Sequence, residues 1–399
     1  MRRGHSVSIA TSDMYREKVE YFGLNFVAIR PSSEDLGGFA DWVEKVLNPK
    51  NGAEFLIRHV LTPHVESNLQ AMQAEASISD VLISHSLTFA MPVLARSLNK
   101  PWASVVLQPN ALFSIHSRLV LPQFPWLTKI YPLIPLAMRR LLFRAIQKKV
   151  SHWVEPVMSL RSNLLRENPV LHPLFEGQFS PHLNLALFSP HFAQAQPDWP
   201  KNLVITGFPL FDINRDSEPS VEFRRFIAEK NRRAPIIFTL GSFSVDHAGD
   251  FYRAAARAAI RLGKRAVLLT GNDPRNRAGV PDHPDILMSS YEPFSKCFPH
   301  SCLIVHQGGI GTVSHALHSG KPQLIFPMTN DQPDNAFRAV QLQVALSMDQ
   351  KLLTASRMEQ QIDKVLTNPD IARRALNLQT KISAEAGVRE AVDQLEQLA

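Results

Sequence analysis

Residues 302–335 read C-L-I-V-H-Q-G-G-I-G-T-V-S-H-A-L-H-S-G-K-P-Q-L-I-F-P-M-T-N-D-Q-P-D-N, and the chemistry this chain can do is concentrated there. Gly308, Gly309 and Gly311 let backbone approach a ligand closely, and they stand where an apolar run, 303–305, gives way to a helical pattern reaching His318. The start of such a helix offers unpaired N–H groups and the positive end of the helix dipole. With the Thr312 hydroxyl and His306 close by, these groups favour a phosphate. Asp331 and Gln332 follow one apolar run later, at a strand's carboxyl end. In an open parallel sheet both would face the same crevice, so a diphosphate and a hydroxyl-rich group could be held together.

Two other chemistries use the same residues. The spacing Gly309-x-Gly311-x-x-Ser314 with Asp331 downstream is close to a dinucleotide fingerprint. That fingerprint normally follows the first strand of its domain, whereas apolar runs at 236–240, 266–270 and 286–288 precede it here, so the order argues against a nicotinamide enzyme. Cys297, His300, Cys302 and His306 are potential metal ligands, but Pro299 interrupts them and their spacing matches no common zinc pattern.

The elements that must position these groups alternate along the chain. Short apolar runs at 7–9, 24–29, 80–84, 103–107, 183–188 and 203–205 read as strands with helical stretches between most of them, which predicts a parallel sheet covered on both faces. The polar stretch 212–220 interrupts the pattern, and a second alternating series begins at Ile236. With 399 residues, 45% of them hydrophobic and 20% charged, the chain can build two ordinary cores. No apolar run approaches the length of about eighteen residues that a membrane span requires, and two cysteines suit a reducing compartment. The net charge of +7 is not gathered into an aromatic-interleaved patch, so nucleic acid is not an expected partner.

The segments H-Q-G-G-I-G-T (306–312) and D-Q-P-D-N (331–335) resemble the sugar-nucleotide signature of GT-B glycosyltransferases of the UDP-glycosyltransferase superfamily, in particular bacterial sterol, macrolide and rhamnosyl transferases. P-L-A-M-R-R-L-L (135–142) and T-G-F-P-L-F-D (206–212) look like the rhamnolipid-type rhamnosyltransferase, and the likeness runs from Arg3 to the carboxyl terminus. The resemblance implies an α/β chain of two Rossmann-like doubly wound domains facing a cleft. Its divisions would be an acceptor-binding domain over 1–209, a linker and first helix over 210–235, a nucleotide-sugar domain over 236–385, and a last helix over 386–399 packing back on the first domain. It further implies that His306 and the amides of Gly308, Gly309, Gly311 and Thr312 hold a donor diphosphate, with Gly241 and Ser242 as a second phosphate-side turn. Asp331 and Gln332 would bond the donor sugar, and Tyr291 of Y-E-P-F (291–294) would stack on the base. Phe294 stands where many relatives carry Gln, and Ser314 where plant members carry a ribose-binding Glu.

The implied activity is inverting transfer of a hexose from a UDP- or dTDP-sugar to a hydroxyl of a lipid or other hydrophobic acceptor, with no metal and no cofactor beyond the sugar nucleotide. The expected setting is the cytoplasm, with peripheral contact at the inner face of the membrane. On the acceptor side, Arg140, Arg144 and Lys148 recur at helical spacing, with Met138, Leu142 and Ile146 on another face, which reads either as a basic amphipathic helix able to lie on an anionic membrane or as an ordinary domain helix with a solvated face. The stretch 121–135 reads as an irregular apolar loop. Residues 1–10 look like a helix end followed by the family's second strand, so the family's first strand and its catalytic general base are expected upstream of Met1. Within the chain His85, after the strand expected at 80–84, is the candidate base, although a structural hydrogen-bonded histidine fits that place equally. A catalytically silent sugar-nucleotide-binding subunit, or a truncated product without the base, is the alternative reading.

Overall fold

The computed structural model describes residues 3–37, 39–48, 50–120, 125–167, 170–212, 218–229 and 233–399, without the side chains of 39–41, 125, 242 and 243. The chain packs as two units, one formed by 1–187, 195–206 and 388–399, the other by 188–194 and 207–387. Every strand pairing among the described residues is parallel.

In the first unit β1 (Ser8–Thr11) pairs with β2 (Asn25–Ala28), and β3 (Leu82–His85), β4 (Trp102–Val106), β5 (Leu183–Ala186) and β6 (Leu203–Ile205) form a four-stranded sheet in that order. Leu82 and Trp102 face a core shared with Met72, Leu94 and Val157 from flanking helices. The opposite face of β4 and β5, with Ala103, Leu183 and Leu185, is covered by Ala391, Leu395 and Leu398 from the end of the chain. Arg3 donates to Asp393 at 2.6 Å and Glu396 at 2.7 Å beside that contact. Exposed pairs of this kind contribute little, so apolar burial holds the terminal segment in place.

The second unit is built on one six-stranded sheet of β7 (Ile236–Thr239), β8 (Ala266–Leu269), β9 (Ile286–Ser289), β10 (Leu303–His306), β11 (Gln323–Ile325) and β12 (Ala345–Ser347), in the order β12-β11-β10-β7-β8-β9. Its central strands are unbroken apolar runs because helices cover both faces. Alternation along each strand divides their side chains between two cores. Ile236, Phe238, Leu268 and Val305 meet Met358 and Ile362 on one face, and Ile237, Val267 and Ile304 meet Phe223, Phe298 and Ala316 on the other. The chain runs outward from β7 through β8 to β9, then returns to place β10 on the other side of β7. Adjacent connections therefore diverge beyond the carboxyl ends of β7 and β10, and such a switch point leaves a crevice for a ligand.

One sequence expectation on the acceptor side is corrected. Residues 125–133 are not irregular: Pro125–Ile130 is a helix and Tyr131–Leu133 a 3-10 turn, with proline at the first helical position, where its missing N–H costs nothing. Residues 121–124 lie outside the described ones. In the helix Leu136–Val150, Ile146 packs on the core, while Met138 is 58% exposed.

Candidate functional site

Two tight turns meet at the β7–β10 switch point. Gly241 follows β7 with φ +64°, and Gly308 follows β10 with φ +89°. A Cβ on Gly241 would lie 2.4 Å from Gln307 Nε2, and one on Gly308 would lie 2.8 Å from Ile325 Cγ2 and 3.2 Å from the Gln332 carbonyl oxygen. Backbone conformation and space both require glycine at these two places. The Gln307 side chain fills the room so left: a Cβ on Gly309 would lie 2.9 Å from the same Nε2. Gln307 is buried, and its Oε1 has no hydrogen-bond partner among the described residues. Sequence reasoning passed over Gln307, whose only signal was its place between His306 and Gly308.

Gly309 at the start of the helix Ile310–Ser319 provides no side-chain cap, so the first-turn amides beyond Ile310 and the positive helix end face the crevice. Thr312 lies in this first turn and is buried. A Cβ on Gly311 would meet nothing within 4 Å, which leaves that amide approachable. Ser314 turns back to its own helix, donating to the Gly311 carbonyl at 2.7 Å.

Asp331 and Gln332 are brought to the same place. The Ile310 amide donates to the Asp331 carboxylate, which also accepts from Asn335 Nδ2 at 2.7 Å. That Nδ2 donates in addition to the Gly308 carbonyl at 3.0 Å, so Asn335 ties the acid to the glycine turn. Burial pushes the Asp331 carboxyl above the usual range, against the lowering effect of these hydrogen bonds. Gln332 Oε1 accepts from the amides of Met328, at 2.8 Å, and Thr329, at 3.2 Å. Its Nε2 lies 3.5 Å from Ser244 Oγ, leaving the amide donor as the atom Gln332 can offer a ligand.

His306 differs from expectation. Its ring is fully buried, Nδ1 accepts from the Gly308 amide at 3.0 Å, and Nε2 lies 3.0 Å from Gln323 Oε1. Because Nδ1 accepts, the proton is on Nε2, which donates to the glutamine oxygen. Burial lowers the ring's pKa to about 4. Both nitrogens are used inside the protein, so the direct diphosphate contact anticipated for His306 is corrected to support of the turn at Gly308.

Beyond the edge strand β9, Tyr291 is 43% exposed, while Phe294 stacks on Phe298 with centroids 4.5 Å apart. Two acids that sequence reasoning overlooked hold this region. Glu292 is fully buried and accepts from the Ser220 amide at 2.9 Å and from Ser289 Oγ at 2.9 Å, and Asp212 accepts from the amides of Phe294 and Ser295. The side chain of Ser242 lies outside the described residues. Among the described residues Cys297, His300, Cys302 and His306 form no group of three or more metal-ligating side chains.

The first unit carries a small cavity of about 80 Å³ beyond the ends of β2 and β3, lined by Ile29, Leu61, Leu87 and Phe89 with Arg30 and Asn68 at its polar side. His85, at the end of β3, is absent from this lining; its Nδ1 accepts from the Leu87 amide at 3.3 Å, and burial lowers its pKa.

Comparison with known proteins agrees with this architecture. A family described as Erythromycin biosynthesis protein CIII-like, C-terminal domain, matches residues 265–398. The O-mycaminosyltylonolide 6-deoxyallosyltransferase of Streptomyces fradiae is 27% identical over 415 positions, spanning 100% of this chain and 92% of that one. A sterol 3-beta-glucosyltransferase of Vanderwaltozyma polyspora is 25% identical across 98% of this chain, which spans only 32% of that longer protein. Among solved structures, the calicheamicin glycosyltransferase CalG4 superposes with a TM-score of 0.69 at 18% identity, covering 100% of this chain and 91% of its own. The glycosyltransferase VinC in complex with dTDP gives 0.66 at 18% identity, covering 100% and 93%.

Proposed function

Because the chain is a GT-B glycosyltransferase of the UDP-glycosyltransferase superfamily, we propose that it transfers a hexose with inversion from a UDP- or dTDP-sugar to a hydroxyl of a hydrophobic acceptor, without a metal ion. The observation that carries this reading is the meeting of the turns at Gly241 and Gly308 with the start of the helix Ile310–Ser319, beside Asp331. The acceptor oxygen would attack the anomeric carbon from the face opposite the diphosphate as the bond from carbon to phosphate oxygen breaks. The nucleoside diphosphate leaves with the negative charge, and the acceptor proton passes to a general base. Amides of Gly309, Gly311 and Thr312, with the helix dipole, would stabilise the departing charge. Asp331 and the Gln332 amide would orient sugar hydroxyls, Tyr291 would stack on the base, and the apolar cavity beyond β2 and β3 would hold one end of the acceptor.

The test is calorimetric titration with UDP, dTDP and their hexose conjugates, followed by mass spectrometry of hydrophobic alcohols incubated with the preferred donor. A glycosylated product of inverted anomeric configuration, formed equally well in chelator, is expected. Binding of no nucleoside diphosphate would sink the donor site, and binding without turnover would favour a silent sugar-nucleotide-binding subunit.

A further inference from the structure

We propose that the helical segment over residues 125–150 of the first unit docks on an anionic lipid surface, a property separate from sugar transfer and from the donor site. Six large apolar side chains stand out of it within sixteen positions: Trp126 57% exposed, Ile130 40%, Leu133 82%, Leu136 41%, Met138 58% and Leu141 64%. A soluble surface rarely shows so many in one short segment. Their exposure is built in rather than frayed. Arg139 donates to the carbonyls of Ile134 at 2.8 Å, Pro132 at 2.9 Å and Ile115 at 3.2 Å, and its guanidinium lies over the Tyr131 ring at 4.8 Å. Those bonds lock the turn that holds Leu133 outward.

Charge selects the occupant. Residues 81–154 contain nine Lys or Arg and no Asp or Glu, a local excess above the +7 of the whole chain. Lys129, Arg140, Arg144, Lys148 and Lys149 are exposed, and none makes an ion pair among the described residues. On the helix Leu136–Val150, Arg144 and Lys148 share the outward face with Leu141, while Ile146 turns to the core. Apolar side chains interleaved with unpaired cations match a bilayer interface, where the former enter the acyl boundary and the latter meet lipid phosphates. A second copy of the chain would bring like charges together. A single-stranded nucleic acid would call for a row of aromatic platforms, where this patch has Trp126 alone at its start and Leu133 as its most exposed side chain. No helix is long and apolar enough to cross a membrane among the described residues, so the contact is peripheral.

The test is co-sedimentation of the full chain with vesicles of phosphatidylglycerol and phosphatidylcholine, with phosphatidylcholine alone and poly-dT as controls. The chain should sediment with anionic vesicles, release as salt rises, and ignore neutral ones. Arg144→Glu with Lys148→Glu should weaken the binding at least about twentyfold at low salt, from roughly fivefold per cation near a lipid surface. Leu133→Ser with Leu141→Ser should weaken it severalfold without altering the salt slope, and both pairs should bind UDP or dTDP as the parent does. The proposal fails if anionic vesicles leave the chain in the supernatant, if neither pair changes the binding, or if poly-dT competes equally and the leucine pair has no effect.

Discussion

The amide of Gly308 donates to Nδ1 of His306 at 3.0 Å, so the residue that opens the phosphate turn is tied to a ring buried two positions before it. The bond needs the neutral ring. With a folded pKa of about 4 against an ordinary 6.5, protonation is disfavoured in the native state, and the unfolded chain binds more protons between those values. This contribution to stability is complete above pH 6.5 and is lost as pH falls through 4. Urea unfolding across this range should show an acid-side loss on the order of 3 kcal/mol from His306, and the loss should shrink in His306→Asn. A pH dependence unchanged in the variant would remove His306 as its source.

Gly241 and Gln307 should be energetically coupled. Gly241→Ala places a methyl against Gln307 Nε2 and requires a non-glycine residue at φ +64°, for a stability loss of about 2–4 kcal/mol. Gln307→Ala in the same chain should recover the steric part, giving a coupling of about 0.5–3 kcal/mol in a double-mutant cycle. Strict additivity of the two changes would show that the side chains do not meet.

Donor sugar and donor diphosphate should separate at Asp331. Asp331→Asn should lower kcat/KM for the sugar nucleotide about 10- to 200-fold, the loss of a charged hydrogen bond of roughly 1.5–3 kcal/mol, while affinity for the free nucleoside diphosphate holds or rises with one negative charge gone. Equal losses for both ligands by calorimetry would count against the assignment. Gln332→Ala should also cost stability, because its oxygen holds the amides of Met328 and Thr329.

Asn335 should behave as a positioning residue. Its Nδ2 joins Asp331 to the Gly308 carbonyl, so Asn335→Ala should raise KM for the sugar nucleotide and destabilise the chain by about 1–3 kcal/mol. Asn335→Asp replaces the donor by an acceptor and should be no better. Wild-type kinetics in both variants would show that the tie is not used.

Much of this was legible locally. Apolar runs located β1–β10 to within a residue or two, although the short β12 escaped notice, and the glycines at 241, 308, 309 and 311 marked where backbone must turn tightly. Period and turn chemistry are properties of neighbouring residues, so one chain suffices to read them. The tertiary structure decided adjacency and direction. The return of β10 beside β7 brings Gly241 against Gln307, a contact across 66 positions that no spacing rule anticipates. Burial between β10 and β11 turned His306 inward, where its nitrogens had to find Gly308 and Gln323, since an unpaired buried polar group is costly. Helical period grouped Met138 with Leu142 and Ile146, but which apolar side chains are covered is decided by packing, which buries Ile146 against the core and leaves Met138 58% exposed.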